Sequence, residues 1–80
     1  MKYNLFEEVV LREDIANKRL QKGDVATIVD YHKGSSCEDG YSLEIFNALG
    51  KTIAIVTVSE SSICSFSEDD IFNIRHLKAA

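Results

Sequence analysis

The sequence contains no proline and no tryptophan, and only two of its 80 residues are cysteines. Small domains that depend on disulfides carry several cysteine pairs, so Cys37 and Cys64 do not indicate a disulfide scaffold. We expect both to be free thiols, because they lie far apart in a chain whose start shows no export signal. Neither belongs to a Cys-x-x-Cys motif, and His32 and His76 share no ligand spacing with them, so we expect no metal site.

Long apolar runs are absent as well. No stretch approaches the roughly 20 apolar residues that a membrane-spanning helix needs. The N-terminal stretch MKYNLFEEVV contains an acidic pair and lacks the apolar core and small-residue cleavage site of a signal peptide. We therefore expect no membrane association and a cytoplasmic location.

Positive charge is scarce, since Lys and Arg number 9 against 13 Asp and Glu, for a net charge of −4. Affinity for nucleic acids depends mainly on cations that neutralise phosphates, so this balance argues against a nucleic-acid partner. The one basic cluster comprises Lys18, Arg19 and Lys22, and acidic side chains surround it. We interpret this cluster as a solvated loop.

The sequence does contain a series of short apolar segments separated by glycines. Strands are predicted at residues 6–11, 25–31, 41–46 and 52–58, where β-branched and aromatic residues are concentrated. In the last segment the apolar pattern changes phase between Ile55 and Val56, which predicts a bend or bulge there. The residues expected in the core are Val9, Leu11, Val25, Ile28, Val29, Leu43, Ile45, Ile55, Val56 and Val58.

The connections between these segments also carry signals. The sequence NALG at residues 47–50 predicts a tight hairpin with Gly50 in the left-handed conformation. The longer loop at residues 12–21 is expected to turn Ile15 and Leu20 inward. A hairpin around residues 32–40 would bring Tyr31 and Tyr41 close together.

The C-terminal part is predicted to contain one helical or 3₁₀ turn at residues 59–62 and a short strand at residues 63–66. The sequence SEDD at residues 67–70 is typical of a capped helix start with acidic side chains in the first turn. Residues 74–77 predict a final strand. We therefore expect residues 1–80 to form one all-β domain, a small barrel of five or six strands.

The sequence LQKGDVATIV at residues 20–29, preceded by VVLREDI at residues 9–15, resembles a bacterial, largely cyanobacterial family of short SH3-like proteins of unknown function. The likeness extends over about residues 3–77. The chain departs from the family pattern at Ala26, where glycine is common, and at residues 14–18, which lack the proline often found there. The resemblance implies a small SH3-like barrel with a short 3₁₀ or helical turn near its C-terminus, and it carries no catalytic residues.

Signals of catalysis are missing from the sequence. No serine or cysteine lies in a nucleophile-elbow motif, and there is no glycine-rich phosphate loop. The neighbours Glu7 and Glu8 would point to opposite faces of a strand, so they do not form a general acid and base pair. We expect no enzymatic activity and no cofactor.

Two binding functions remain open. The first is a non-catalytic protein-binding module with a basic protein as partner, most concretely the antitoxin or immunity partner of a bacterial toxin. The second is a KOW-like RNA- or ribosome-binding module, which the Lys-Gly-Asp motif at residues 22–24 permits and the net charge opposes. Polyproline recognition of the eukaryotic SH3 type is disfavoured, because tryptophan and the Ala-Leu-Tyr-Asp-Tyr signature are both missing.

Tyr31 and Tyr41, with His32 at their rim, are the candidate partner-binding residues. The alternative for the two tyrosines, which we favour, is a cross-strand pair that closes one end of the barrel. The sequence leaves the oligomeric state open and allows a homo-oligomer.

Overall fold

The computed structural model describes residues 1–77. Five strands within them form a single antiparallel sheet. Its strands are β1 (Glu8–Leu11), β2 (Val25–His32), β3 (Gly40–Phe46), β4 (Thr52–Ser59) and β5 (Ile63–Cys64). Within the described residues the only helical segments are two 3₁₀ turns, Ala16–Lys18 and Glu60–Ser62. The all-β prediction and the 3₁₀ turn near the C-terminus are confirmed.

The strands follow the order β4-β3-β2-β1-β5 across the sheet. Two register shifts interrupt the ladders. At one, Val29 is an extra residue on β2, and at the other, Ile53 is an extra residue on β4. Such shifts increase the local twist of a sheet, and here the sheet curls into a small SH3-like half-barrel. The bend or bulge predicted between Ile55 and Val56 is wrong, because the register shift lies earlier on β4, at Ile53.

β1 begins later than predicted, at Glu8. Residues 4–7 form a turn instead, in which the N–H of Glu7 donates to the carbonyl of Asn4, and Glu7 Oε1 accepts from the N–H of Asn4. Phe6 adopts a positive φ of 67° within this turn, so it leaves the extended conformation that a strand requires. The turn directs Tyr3 back onto the barrel, where it is buried.

The core lies on the concave face of the sheet. Its buried residues are Tyr3, Val9, Leu11, Leu20, Ala26, Ile28, Tyr41, Leu43, Ile45, Val56 and Ile63. Val58 and Ile15 are partly buried and pack against this cluster. The predicted inward anchors of the first long loop, Ile15 and Leu20, face each other in an isolated β-bridge.

Three residues predicted for the core lie elsewhere. Val25 and Val29 are half-buried and alternate with the buried Ala26 and Ile28, so the other face of β2 points inward. Ile55 is 58% exposed. The convex face of the sheet is open, and the curvature does not bury both faces of a strand as the sequence pattern had suggested.

The predicted helix start at residues 67–70 and the final strand at residues 74–77 are wrong. No strand or helix follows Cys64 within the described part of the chain. Residues 67–70 form a turn, because Asp70 Oδ2 accepts the N–H of Ser67 and the N–H of Asp70 donates to the carbonyl of Ser67. The barrel consequently has five strands.

Candidate functional site

Tyr31 on β2 and Tyr41 on β3 are direct cross-strand partners, as the sequence predicted. Their ring centroids lie 5.5 Å apart and the ring planes are tilted by 50°. Tyr41 is completely buried, whereas Tyr31 is half-buried. A partner protein could therefore contact Tyr31 directly, but it would reach Tyr41 only through the side chains that cover it.

The Tyr41 hydroxyl joins the N-terminal segment to the end of the barrel. It accepts hydrogen bonds from the N–H groups of Lys2 and Tyr3, at 3.0 Å and 3.2 Å, and donates to Glu60 Oε2 at 3.0 Å. The Tyr3 ring meets the Tyr41 ring edge-on at 5.5 Å. Burial, with the Glu60 hydrogen bond added, raises the pKa of Tyr41 above its ordinary value. These contacts assign Tyr41 a structural role.

The Tyr31 hydroxyl fastens the loop between β2 and β3. It donates to Asp39 Oδ2 at 2.7 Å, and Asp39 Oδ1 accepts the N–H of Gly34 at 3.0 Å. The hydrogen bond to Asp39 raises the pKa of Tyr31 to about 12, and the same bond lowers the pKa of Asp39. Gly34 must be glycine for this loop, because a Cβ there would lie 2.1 Å from the carbonyl oxygen of Cys37.

His32 lies on the convex face and is exposed. Its Nε2 is 2.8 Å from Ser42 Oγ, which in turn is 3.0 Å from Thr57 Oγ1 on β4. A serine–histidine contact is the first part of a nucleophilic triad, but within residues 1–77 no carboxylate hydrogen-bonds to the histidine ring. The side chains of His32, Ser42 and Thr57 lie on an open sheet surface, where they present hydrogen-bonding groups to solvent.

The largest group of exposed apolar side chains within residues 1–77 comes after β5, and the sequence analysis missed it. We call residues 65–77 the apolar tail; its large apolar side chains are Phe66, Ile71, Phe72, Ile74 and Leu77. Ile71, Phe72 and Ile74 are 89%, 78% and 83% exposed. The rings of Phe66 and Phe72 meet edge-on with centroids 5.5 Å apart.

The apolar tail runs beside one end of the barrel and leaves a groove of about 820 Å³ between them. The barrel wall of the groove includes Val10, Ile45, Phe46 and Ile53. Large contiguous apolar surfaces that remain exposed are typical of interaction sites. The sequence signal is the density of apolar residues after position 70, but the sequence predicts a brief helix that starts at residues 67–70 and a strand at residues 74–77.

Arg75 holds the apolar tail against the barrel. Its guanidinium donates to both carboxylate oxygens of Asp24, from Nε to Oδ1 at 2.9 Å and from Nη2 to Oδ2 at 2.5 Å. Nη2 also donates to the carbonyl of Arg19 at 3.1 Å. Partial burial would raise the pKa of Asp24, but hydrogen bonds from Arg75 and from the Gln21 N–H outweigh it and lower the pKa.

The remaining candidates from the sequence lie on the surface. Lys18, Arg19 and Lys22 are exposed in the loop between β1 and β2, and Arg75 approaches the same loop. Cys37 is exposed in the next loop, Cys64 is half-buried on β5, and both are free. No group of three or more metal-ligating side chains occurs within residues 1–77. None of the helical segments in that range is long and apolar enough to cross a membrane.

Comparison with known proteins gives a family without an assigned activity. Residues 5–65 match the family model described as a domain of unknown function, DUF4926. The match covers β1 to β5 and ends where the apolar tail begins. No curated protein and no solved structure matches the chain.

Proposed function

The chain belongs to the DUF4926 family, a domain of unknown function, and we propose that it is a non-catalytic module that binds a basic protein through the apolar tail. The observation that carries this proposal is the exposure of Ile71, Phe72 and Ile74 beside an open groove. Apolar anchors of this size supply most of the affinity of a protein interface once they enter a pocket on the partner.

The charge of the tail supports a basic partner. Glu68, Asp69 and Asp70 are exposed and directly precede Ile71 and Phe72. Acidic side chains beside apolar anchors attract a pocket with a basic rim, and they accelerate the encounter at low ionic strength. The net charge of −4 acts in the same direction.

The tail lies outside the residues that match the family model, which supports separate roles for the barrel and the tail. The barrel supplies the scaffold that members of the family share, and the tail supplies the specificity of this chain. Tyr31 and His32 lie at the opposite hairpin from the NALG turn that borders the groove, so they form a secondary contact at most.

The most concrete version of the proposal is an antitoxin or immunity protein in the bacterial cytoplasm. A small acidic barrel with an apolar tail would cover a basic surface of a toxin and block its contact with substrate. Free thiols at Cys37 and Cys64 agree with a reducing compartment.

The test is affinity capture from native lysate with the wild type and two matched variants, Phe72→Ser and Phe6→Ser. Both phenylalanines are exposed, at 78% and 74%, but Phe6 lies in the N-terminal turn and does not line the groove. We expect the wild type and Phe6→Ser to capture a basic protein that Phe72→Ser does not capture. This protein should bind more slowly as the salt concentration rises. Thermal melting of both variants checks that the barrel is intact.

The competing RNA-binding function is tested in the same experiment. Lys18, Arg19, Lys22 and Arg75 are the cations that the fold gathers around one loop. Capture of RNA or ribosomal proteins that nuclease abolishes, and that Phe72→Ser leaves unchanged, would overturn the protein-binding proposal. The proposal would also be overturned if no captured basic protein required Phe72 for its binding.

A further inference from the structure

β4 forms one edge of the sheet, and its outer side is unpaired. β4 is the last strand in the order and pairs only with β3. The N–H of Glu60 donates to the carbonyl of Asp39, which continues the β3–β4 register, so the alternate pairs Tyr41–Val58 and Leu43–Val56 are the hydrogen-bonded ones. The N–H and C=O groups of Ile55 and Thr57 therefore point away from the sheet. Within residues 1–77 they have no backbone partner.

The composition of β4 leaves this edge unprotected. The strand reads TIAIVTVS, with no charged residue, proline or glycine. Natural proteins protect sheet edges with charges, prolines, bulges or very short strands, because an open edge pairs with other chains. β5 at the opposite edge is only two residues long, but β4 has eight residues and its single irregularity lies near its start.

We propose that β4 pairs antiparallel with β4 of a second copy of this chain, which joins the two sheets across a two-fold axis at Ile55. In this register Ile55 faces Ile55 of the second copy on the convex face, and Thr57 faces Ile53. The 58% exposure of Ile55 provides apolar surface that the pairing covers. The outward backbone groups of Ile55 and Thr57 gain the ladder partners that they lack in one copy.

Charge favours a second copy in this orientation. Two chains with a net charge of −4 repel each other, and the uncharged β4 is the edge at which they can meet without placing like charges opposite each other. Lys51 precedes β4 and Glu60 follows it, so antiparallel pairing places each lysine near the glutamate of the other copy. Parallel pairing would instead place lysine beside lysine and glutamate beside glutamate.

Strand length argues for β4 as its own partner. Pairing of β4 with β5 of another copy would engage two residues and would generate an open chain of subunits or a ring. Self-pairing about Ile55 places residues 52–58 of the two copies opposite each other and closes after two copies. The inference does not rest on the exposed side chains of the apolar tail, although Ile53 of β4 also lines the groove beside the tail.

The test is the mass of the purified full-length chain by sedimentation across a concentration series. We expect a concentration-dependent dimer whose dissociation constant Ile55→Lys raises by about tenfold or more, because the variant places two lysines opposite each other. Ile71→Lys is the matched control, with the same substitution at an exposed isoleucine of the tail. It should leave the dimer unchanged and abolish capture of the protein partner.

Amide hydrogen exchange identifies the surface. The N–H groups of Ile55 and Thr57 should exchange more slowly as the concentration rises. Thermal melting checks that Ile55→Lys is folded, and sedimentation checks that it is a monomer. A chain that stays monomeric at all concentrations would overturn the inference. So would a dimer that Ile55→Lys leaves intact, or one in which exchange at Ile55 and Thr57 does not depend on concentration.

Discussion

Arg75 and Asp24 lie 51 residues apart in the sequence and are joined by two hydrogen bonds between one guanidinium and one carboxylate. Their side chains are 31% and 17% exposed, so the pair is only partly screened by solvent. The contact is the one ion pair within the described residues. It connects the family barrel to a tail that has no regular secondary structure.

Arg75→Gln should release the apolar tail and leave the barrel folded. Partly exposed ion pairs contribute about 0–1 kcal/mol, so the melting temperature should change little. Cleavage by chymotrypsin at Phe66 and Phe72 should become faster, because the tail loses its contact with Asp24. Asp24→Ala should destabilise the barrel more, since it also removes the acceptor of the Gln21 N–H, which lies 2.8 Å from Asp24 Oδ2. Equal cleavage of wild type and Arg75→Gln would show that other contacts hold the tail.

The same contact makes the tail sensitive to acid. The pKa of Asp24 in the folded chain lies below its ordinary value of 3.8, so the stabilisation is complete above about pH 4 and is lost as pH falls through the folded pKa. Arg75 keeps its charge throughout, because a guanidinium loses its proton only in strong base. An NMR titration should show tail resonances that move with the Asp24 carboxyl. In Arg75→Gln the Asp24 pKa should be higher and the tail shifts should be absent.

Tyr31 should ionise well above an ordinary tyrosine. Its hydrogen bond to Asp39 raises the pKa of Tyr31 to about 12, so this contribution to stability is complete below pH 10 and is lost as pH rises through the folded value. Ultraviolet titration of phenolate formation measures the step, and Tyr31→Phe identifies it by subtraction. In Asp39→Asn the step should move to lower pH. An unchanged step in that variant would contradict the assignment.

Leu43→Ala should be severely destabilising. Leu43 is fully buried at the centre of the sheet, where it pairs with Ile28 and Val56, and large-to-small core changes cost about 2–5 kcal/mol. A domain of this size has a total stability of roughly 4–12 kcal/mol. Urea unfolding measures the loss, and Leu49→Ala, at an exposed turn position, is the control. Equal unfolding midpoints for the two variants would contradict the central position of Leu43.

Both cysteines should react as free thiols. Thiol titration of denatured, anaerobically prepared protein should find two groups, and in the native state Cys37 should react faster than the half-buried Cys64. Cys37→Ser should remove the fast phase and Cys64→Ser the slow one. Protein prepared without reductant that shows no free thiols would indicate a native disulfide.

Local patterns in the sequence determined most of the sheet. Period-2 alternation and β-branched residues located β2, β3 and β4, because these strands bury one face and leave the other in solvent. Gly50 marked its turn correctly, with a φ of 86°, since only glycine adopts such angles without strain. The approach of Tyr31 to Tyr41 followed from hairpin register alone.

Tertiary structure decided which face of each strand is covered and how the chain continues after β5. Val25, Val29 and Ile55 are as apolar as the residues that entered the core, so composition did not distinguish them; the direction of sheet curvature did. The sequence predicts a strand at residues 74–77 of the tail, yet a strand needs a neighbouring strand for its backbone hydrogen bonds. Arg75 binds Asp24 immediately before β2, 51 residues away, and a long-range contact of this kind leaves no local pattern in the sequence. The unpaired edge of β4 is likewise a property of strand order, which depends on how the whole chain folds.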